Sequence, residues 1–325
     1  MSAGILPDGY RSRPATFDDA EAVAAVIAAC EAAYDLGTQT TAADVRDEWQ
    51  DVDLADETVV VEHVSGSVIA CADLANQHYA ILRVYGYVHP EHEGEGLGRY
   101  LIDWGERWGL AHMDRADPEV QVAVLHYVSA SNAGALDLFT ACGYEAVRGT
   151  YVMGIELDEP LPERVWPEGI VPGVFRPGVD ERGVHASIED AIRDQWGHAP
   201  RSFEHFLAFS QREEMKPDLW IAARAENEIA GVCIGMLTGE QGWVQNISVR
   251  RAWRRKGLGL ALIHACLGAF YQRGVTDVRL DVDAQSSTGA NRLFERAGMH
   301  VISYYLLHKK VLRVGVDIGV TSAGA

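Results

Sequence analysis

An α/β chain built from two copies of one domain is what this 325-residue sequence predicts, and three landmarks predict it. Arg13-Pro14 returns as Arg176-Pro177, Gly96-x-Gly98 as Gly257-x-Gly259, and Ala141-Cys-Gly143-Tyr144 as Arg296-Ala-Gly298-Met299, at offsets of 163, 161 and 155. Landmarks that recur in one order at nearly constant spacing mean that a whole domain is repeated. The length suits two domains of about 150 residues each. In each copy an apolar, strand-like run enters the glycine turn and an apolar helical run leaves it, the alternation of an α/β fold.

The elements follow in order. Copy one opens with helical periodicity over Asp18–Ala33, with Thr16 or Asp18 as cap. Thr58–His63 and Ser67–Leu74 flank Ser65-Gly66 and predict a hairpin. Tyr79–Val88 is the strand entering the glycine turn, Gly98–Leu110 the helix leaving it, Val120–Tyr127 the next strand, and Asn132–Ala141 a short helix ended by Gly143. Copy two predicts helix Gly183–Trp196, hairpin strands Leu219–Ala225 and Glu228–Leu237, and strand Gly242–Val249. Helix Gly259–Arg273, strand Asp277–Val282, helix Thr288–Ala297 and a closing strand His300–Leu312 complete it. Between the copies Pro160, Pro162, Pro167 and Pro172 mark residues 158–173 as a stiff linker. The expected domains are therefore 1–157 and 174–325, and the small, polar tail after Val316 is expected to fray.

Charge separates the copies. Residues 1–160 hold 8 arginines, no lysine and 28 acidic side chains, a net −20, whereas residues 161–325 hold 20 basic and 19 acidic ones. A nucleic-acid partner needs a basic surface and is not expected. The acidic half favours cationic small molecules or serves solubility. No apolar run approaches the ~20 residues that span a bilayer, and no basic-then-apolar signal opens the chain, so a cytoplasmic protein without a membrane partner is expected. The five cysteines form no CxxC pair, which argues against a zinc site or a disulfide framework.

The glycine turn carries the chemistry. Successive backbone N–H groups converging at a helix start make an anion cradle. In copy two, Arg254, Arg255 and Lys256 surround it; in copy one, Glu93 and Glu95 stand there and should repel an anion. A solvated basic face is the plainer reading of the arginines and lysine.

Strand, then Arg254-x-x-Gly257-x-Gly259, then helix, resembles the acyl-CoA pyrophosphate motif of GNAT (GCN5-related) N-acetyltransferases. The segment 287–299, with Ala290, Leu293, Phe294 and Gly298, resembles the closing helix of that family. Both copies, nearly the whole chain, share the likeness, which is to tandem GNATs of the actinobacterial, mycothiol synthase-like type. The resemblance implies two mixed, mostly antiparallel sheets, each splayed in its middle and flanked by helices, and acetyl-CoA as co-substrate. It also implies that Ile247, Val249, Arg254, Arg255, Lys256, Gly257, Leu258, Gly259, Leu260 and Phe294 contact that co-substrate, with copy one degenerate.

For catalysis, copy two has Phe294 where the family often has a tyrosine acid, and Trp243 where related sequences carry a glutamate. The remaining proton-transfer candidates are Glu240, Asp281 or Asp283, and Tyr304 or Tyr305. Asp281 and Asp283 share a strand face, and an edge ion pair or loop cap explains them equally well. Trp196, His198 and Phe203, after the first helix, are candidates for the acceptor pocket. The expected reaction is direct acetyl transfer in a ternary complex to a primary amine of a small molecule, in a monomer or homodimer. The alternatives are mycothiol synthesis or a non-catalytic acyl-CoA-binding, sensory protein.

Overall fold

The computed structural model describes residues 6–34, 40–162, 165–193, 202–212, 215–226, 228–286 and 288–318. It forms two compact units: Met1–Thr150 together with Ser303–Ile318, and Tyr151–Ile302. The expected domains, 1–157 and 174–325, keep each copy contiguous in sequence. In the structure the divisions fall inside two long strands, and the last strand of copy two supplies most of its length to the first unit.

The first unit opens with β1 (Tyr10–Arg13), α1 (Ala20–Ala33), α2 (Ala42–Glu48) and a single turn, α3 (Leu54–Glu57). Next come β2 (Thr58–His63), β3 (Val68–Gln77), β4 (Ile81–Val88), α4 (Leu97–His112), β5 (Val122–Ser129), α5 (Ala133–Ala141) and the beginning of β6 (Glu145–Glu156). The second unit takes the rest of β6 and adds β7 (Val171–Val174), α6 (Glu181–Ile192), α7 (Phe203–Ser210), β8 (Trp220–Ala225) and β9 (Glu228–Thr238). It continues with β10 (Gln241–Val249), α8 (Leu258–Gln272), β11 (Asp277–Asp283) and α9 (Ala290–Arg296). The final strand, β12 (His300–Arg313), passes back into the first unit at Ser303.

Strand order is β1-β2-β3-β4-β5-β12 in the first unit and β6-β11-β10-β9-β8-β7 in the second. Neighbours pair antiparallel from β1 to β4, at β5 with β12 and from β10 to β7, and in parallel at β4 with β5 and at β10 with β11. The mixed, mostly antiparallel α/β architecture expected from the sequence is therefore present in both units. Sequence reading missed β1, α2, α3, α7 and β6, and took β7 for linker. β6 carries Gly149 and Gly154 where strand propensity is weakest. Both are space-makers: Tyr304 lies over Gly149 and Ile302 over Gly154, where a Cβ would have no room. β7 holds Pro172, which an edge strand tolerates because its outer N–H groups need no partner.

The Arg-Pro landmark has a structural cause. Arg13 binds Asp19 at the start of α1 at 2.7 Å, holding that carboxyl down at about 2. Arg176 binds Asp180 at the start of α6 at 2.8 Å. Charge also helps hold the exchanged strand in the first unit. Lys310 of β12 grips both carboxylate oxygens of Glu106 at 2.7 and 2.8 Å, and Arg313 donates to the carbonyls of Met113 and Val120, each at 3.0 Å. The strand thus brings cations to the copy that has few of its own.

On the α1 face of the first sheet, Asp73 stands opposite Tyr85 across β3 and β4. Burial, and then the charge of Glu48, raises its carboxyl to about 7. The folded state therefore holds this proton more tightly than the unfolded chain, and stability falls as pH rises from about 4 through about 7. Asp73→Asn removes the buried charge. It should raise Tm at pH 8 by at least ~2 °C, the shift that 1 kcal/mol gives a domain of this size, and leave Tm at pH 4 unchanged. Equal shifts at both pH values in a thermal-melt series would refute this.

Candidate functional site

In the second unit, β10 ends at Val249 and the chain turns through Arg250–Gly257 into α8. Two residues of the turn are left-handed: Arg255 at φ 61° and Gly257 at φ 85°. This alternation turns neighbouring N–H groups toward one concavity, a nest at a helix start. A left-handed arginine costs about 1–2 kcal/mol, strain of the kind that collects at functional sites. Arg255, Lys256 and Gly257 are exposed, and the Cβ position of Gly257 opens onto empty space. Leu258 and Leu260 are buried and anchor α8. Gly259 lets Leu293 of α9 come within 3.2 Å of where a Cβ would stand, so α8 and α9 close up beside the turn.

β10 itself is irregular. Its register with β9 shifts between Val244 and Asn246, a bulge that leaves Gln245 without a ladder partner and exposed. A bulge frees backbone groups and bends the strand. On the other side, β10 pairs with β11 through Gly242↔Val278 and Trp243↔Arg279 alone among the described residues, so the strands splay beyond Trp243. Asn246–Val249, including Ile247 and Val249, runs from the bulge to the turn with its β11 side open. Sequence reading missed the bulge, for which no residue type in the segment is diagnostic.

Asp281 lies on β11 just past the last registered pair. Strand alternation puts it on the face of Trp243 and Arg279, opposite Val278, Leu280 and Val282, which enter the α8 side of the core. Asp281 is exposed at the surface, yet the protein around it displaces enough water to raise the carboxyl to about 6. Asp283 is used locally: its carboxylate accepts the N–H of Gln285 at 2.9 Å, the loop-cap reading.

The other expected site residues have the following places and partners. Glu240 is exposed in the β9–β10 turn, at the far end of β10 from the glycine turn. Tyr304 and Tyr305 belong to the first unit, because β12 crosses at Ser303. Phe294 is 3% exposed in the second core, so it supports the site as packing. Lys256 folds over Trp253, its Nζ 4.6 Å from the ring centroid. Arg254 donates from Nη2 to the carbonyl of Ala191 at 2.7 Å and from Nε to that of Val249 at 3.3 Å. Phe203 lines a cavity of about 480 Å³ with Phe175, Arg182, Leu207 and Pro217, by the β7 edge and several strands from the splay. Trp196 and His198 lie outside the described residues.

The first unit repeats the backbone of the turn with acidic side chains around it. Gly94 and Gly96 are left-handed at φ 79° and 88°, the positions of Arg255 and Gly257. Here Pro7 lies 3.6 Å from the Cβ position of Gly96, the Tyr10 hydroxyl donates to Glu95, and the Tyr34 hydroxyl donates to Glu93. The β3–β4 register runs through eight pairs without a bulge. The splay beyond Arg83↔Leu125 is filled by His126, 4% exposed, whose ring bonds the backbone of Val84 and packs on Phe139 at 4.7 Å. Burial, and then neighbouring His308, holds this imidazole neutral with a pKa of about 3.

Among the described residues no group of His, Cys, Asp and Glu can hold a metal ion, and no helix is long and apolar enough to cross a membrane. The Acetyltransferase (GNAT) family model matches residues 26–144 and again 186–299. The chain is 43% identical to a GCN5-related N-acetyltransferase from Sphaerobacter thermophilus, with a TM-score of 0.88 over 98% of this chain and all of that one. A tandem GNAT protein from the clavulanic acid biosynthesis pathway shares the fold at 16% identity, with a TM-score of 0.71 over 94% of this chain and all of that one. Mycothiol acetyltransferase of Thermobispora bispora is 29% identical over 222 residues, 65% of this chain and 70% of that protein. With two family matches, one in each repeat and together spanning most of the sequence, this chain belongs to the GNAT acetyltransferase family and is a tandem GNAT acyltransferase.

Proposed function

We propose that the second unit alone transfers an acetyl group from acetyl-CoA to a primary amine of a small molecule, by direct attack in a ternary complex. One observation carries this reading. The strand that ends in the basic turn is also the strand that is bulged and splayed, whereas its counterpart ends in an acidic turn, is regular in its β3–β4 ladder and has the buried His126 at its splay. The residues present suit an acyl-CoA. The amides of residues 255–258 offer donors to a pyrophosphate, the open edge of Asn246–Val249 matches the amides of a pantetheine arm, and an N–H freed near Gln245 can polarise a thioester carbonyl.

Asp281 is the carboxylate best placed to take the proton of the attacking amine, directly or through one water. A covalent route through cysteine has no support: all five cysteines are buried, and burial raises the thiols of Cys30, Cys71, Cys142 and Cys233. The acidic excess of the first copy favours a cationic acceptor by long-range attraction.

The test is thiol release from acetyl-CoA across a panel of amino sugars, polyamines and peptide N-termini. Release driven only by peptides would overturn the small-molecule assignment. Asp281 gives a pH signature as well. With its carboxyl at about 6, kcat/KM for the amine should fall as pH drops through 6, because the proton acceptor becomes protonated. Asp281→Asn should lower kcat about 100-fold and abolish that limb of the profile. An unchanged acid limb would remove Asp281 from the mechanism.

A further inference from the structure

We infer that Arg254 is a positioning residue that fastens the cofactor turn to the end of α6, so that filling the turn is felt at that helix end. This inference rests on the reading of the second unit as the CoA site.

The guanidinium is spent on two backbone carbonyls. Nη2 bonds Ala191, in the last turn of α6, at 2.7 Å, and Nε bonds Val249, the end of β10, at 3.3 Å. Carbonyls in a last helical turn lack intrahelical partners, and a cation there also meets the negative end of the helix dipole. A second tie runs beside the first. The N–H of Arg251, inside the turn, bonds the Asp190 carboxylate at 3.1 Å, and Asp190 also pairs with Arg193 at 2.9 Å. The Arg251 amide is the main reason that the Asp190 carboxyl lies below its usual range.

The first unit makes the same link with the opposite chemistry. Glu93 holds the position of Arg254, and its carboxylate accepts from the hydroxyl of Tyr34, the residue that caps the end of α1. A basic and an acidic side chain at one repeat position thus both reach from the turn to the end of the first helix. Phosphate binding explains an arginine there and cannot explain a glutamate. Fastening the helix end explains both. An equilibrium coupling between two sites must work in both directions, so CoA in the turn should steady the end of α6.

Hydrogen exchange read by mass spectrometry on the full-length chain, with CoA as the probe, tests this. In the wild type, CoA should slow exchange both in the turn, residues 251–260, and at the end of α6, residues 186–193. Arg254→Met keeps the stem and removes the donors. It should retain CoA affinity to within about tenfold, with protection of the turn intact and CoA-dependent protection of α6 lost. Arg254→Lys, which keeps one donor group, should restore part of it. Protection of α6 by CoA in Arg254→Met, or a loss of CoA affinity beyond about a hundredfold, would overturn the inference while leaving the CoA site standing. Failure of the wild type to bind CoA would overturn both.

Discussion

Arg255→Glu with Lys256→Glu is expected to weaken CoA binding by about 100- to 1,000-fold while leaving thermal stability within ~1 °C of the wild type. Both side chains are exposed, and replacing them removes only the cation–π contact of Lys256 with Trp253 from the folded protein. Surface changes of this kind usually fall within about 0.5 kcal/mol. Toward a pyrophosphate the effect is much larger. Each hydrogen bond to a charged group is worth about 1.5–3 kcal/mol, and reversal replaces attraction by repulsion. Even after screening at an exposed site, two reversals reach about 3–4 kcal/mol, which is two to three decades of affinity. Calorimetric titration with CoA measures it. The complementary change in the first unit, Glu93→Arg with Glu95→Lys, should create no second site. Pro7 lies against Gly96, the β4 ladder has no bulge, and His126 fills the splay. Full CoA affinity in the first double variant would move the cofactor out of the second unit's turn. A stoichiometry of two in the second would show that charge alone had silenced the first.

What could be read from the sequence is what the chain writes locally. The glycine turn, its strand and its helix are specified by neighbouring residues, and Gly96 and Gly257 sit in the left-handed conformation that the pattern required. The opposite charges at 93 and 254 were legible too, but their roles were not. Whether an arginine faces an anion or a carbonyl depends on where α6 ends, and Ala191 is sixty-three residues from Arg254 in sequence. The bulge at Gln245 was invisible because it belongs to the pairing of two strands rather than to either one. Tyr304 was expected in the second domain because the repeat places it in copy two. The chain carries it to the first unit, an exchange that no local preference records.

That exchange has the largest consequence for stability. A fragment ending at residue 157, which holds all of copy one by sequence, should not fold alone. β12 supplies the ladder along β5, from Tyr305↔Ser129 to Arg313↔Val122, and without it that edge is bare. Leu307 and His308 are 3% exposed inside the first unit, and Lys310 neutralises Glu106 beside buried Tyr144 and Cys142. Losing buried Leu307 alone is worth about 2–5 kcal/mol, against the 5–15 kcal/mol that holds a typical domain together. Removing the strand also strands the backbone groups of β5 and leaves the Glu106 carboxylate half-buried without its cation. A peptide of residues 299–318 should therefore restore cooperative unfolding and dispersed NMR signals to the fragment. A peptide with Leu307→Asp and Lys310→Glu should not. The gain should saturate with peptide concentration, as linkage requires of a partner that binds only the folded state. If residues 1–157 melt cooperatively without the peptide, the first unit needs no borrowed strand. The two copies would then be independent domains, and the pairing of β12 with β5 would matter little to stability.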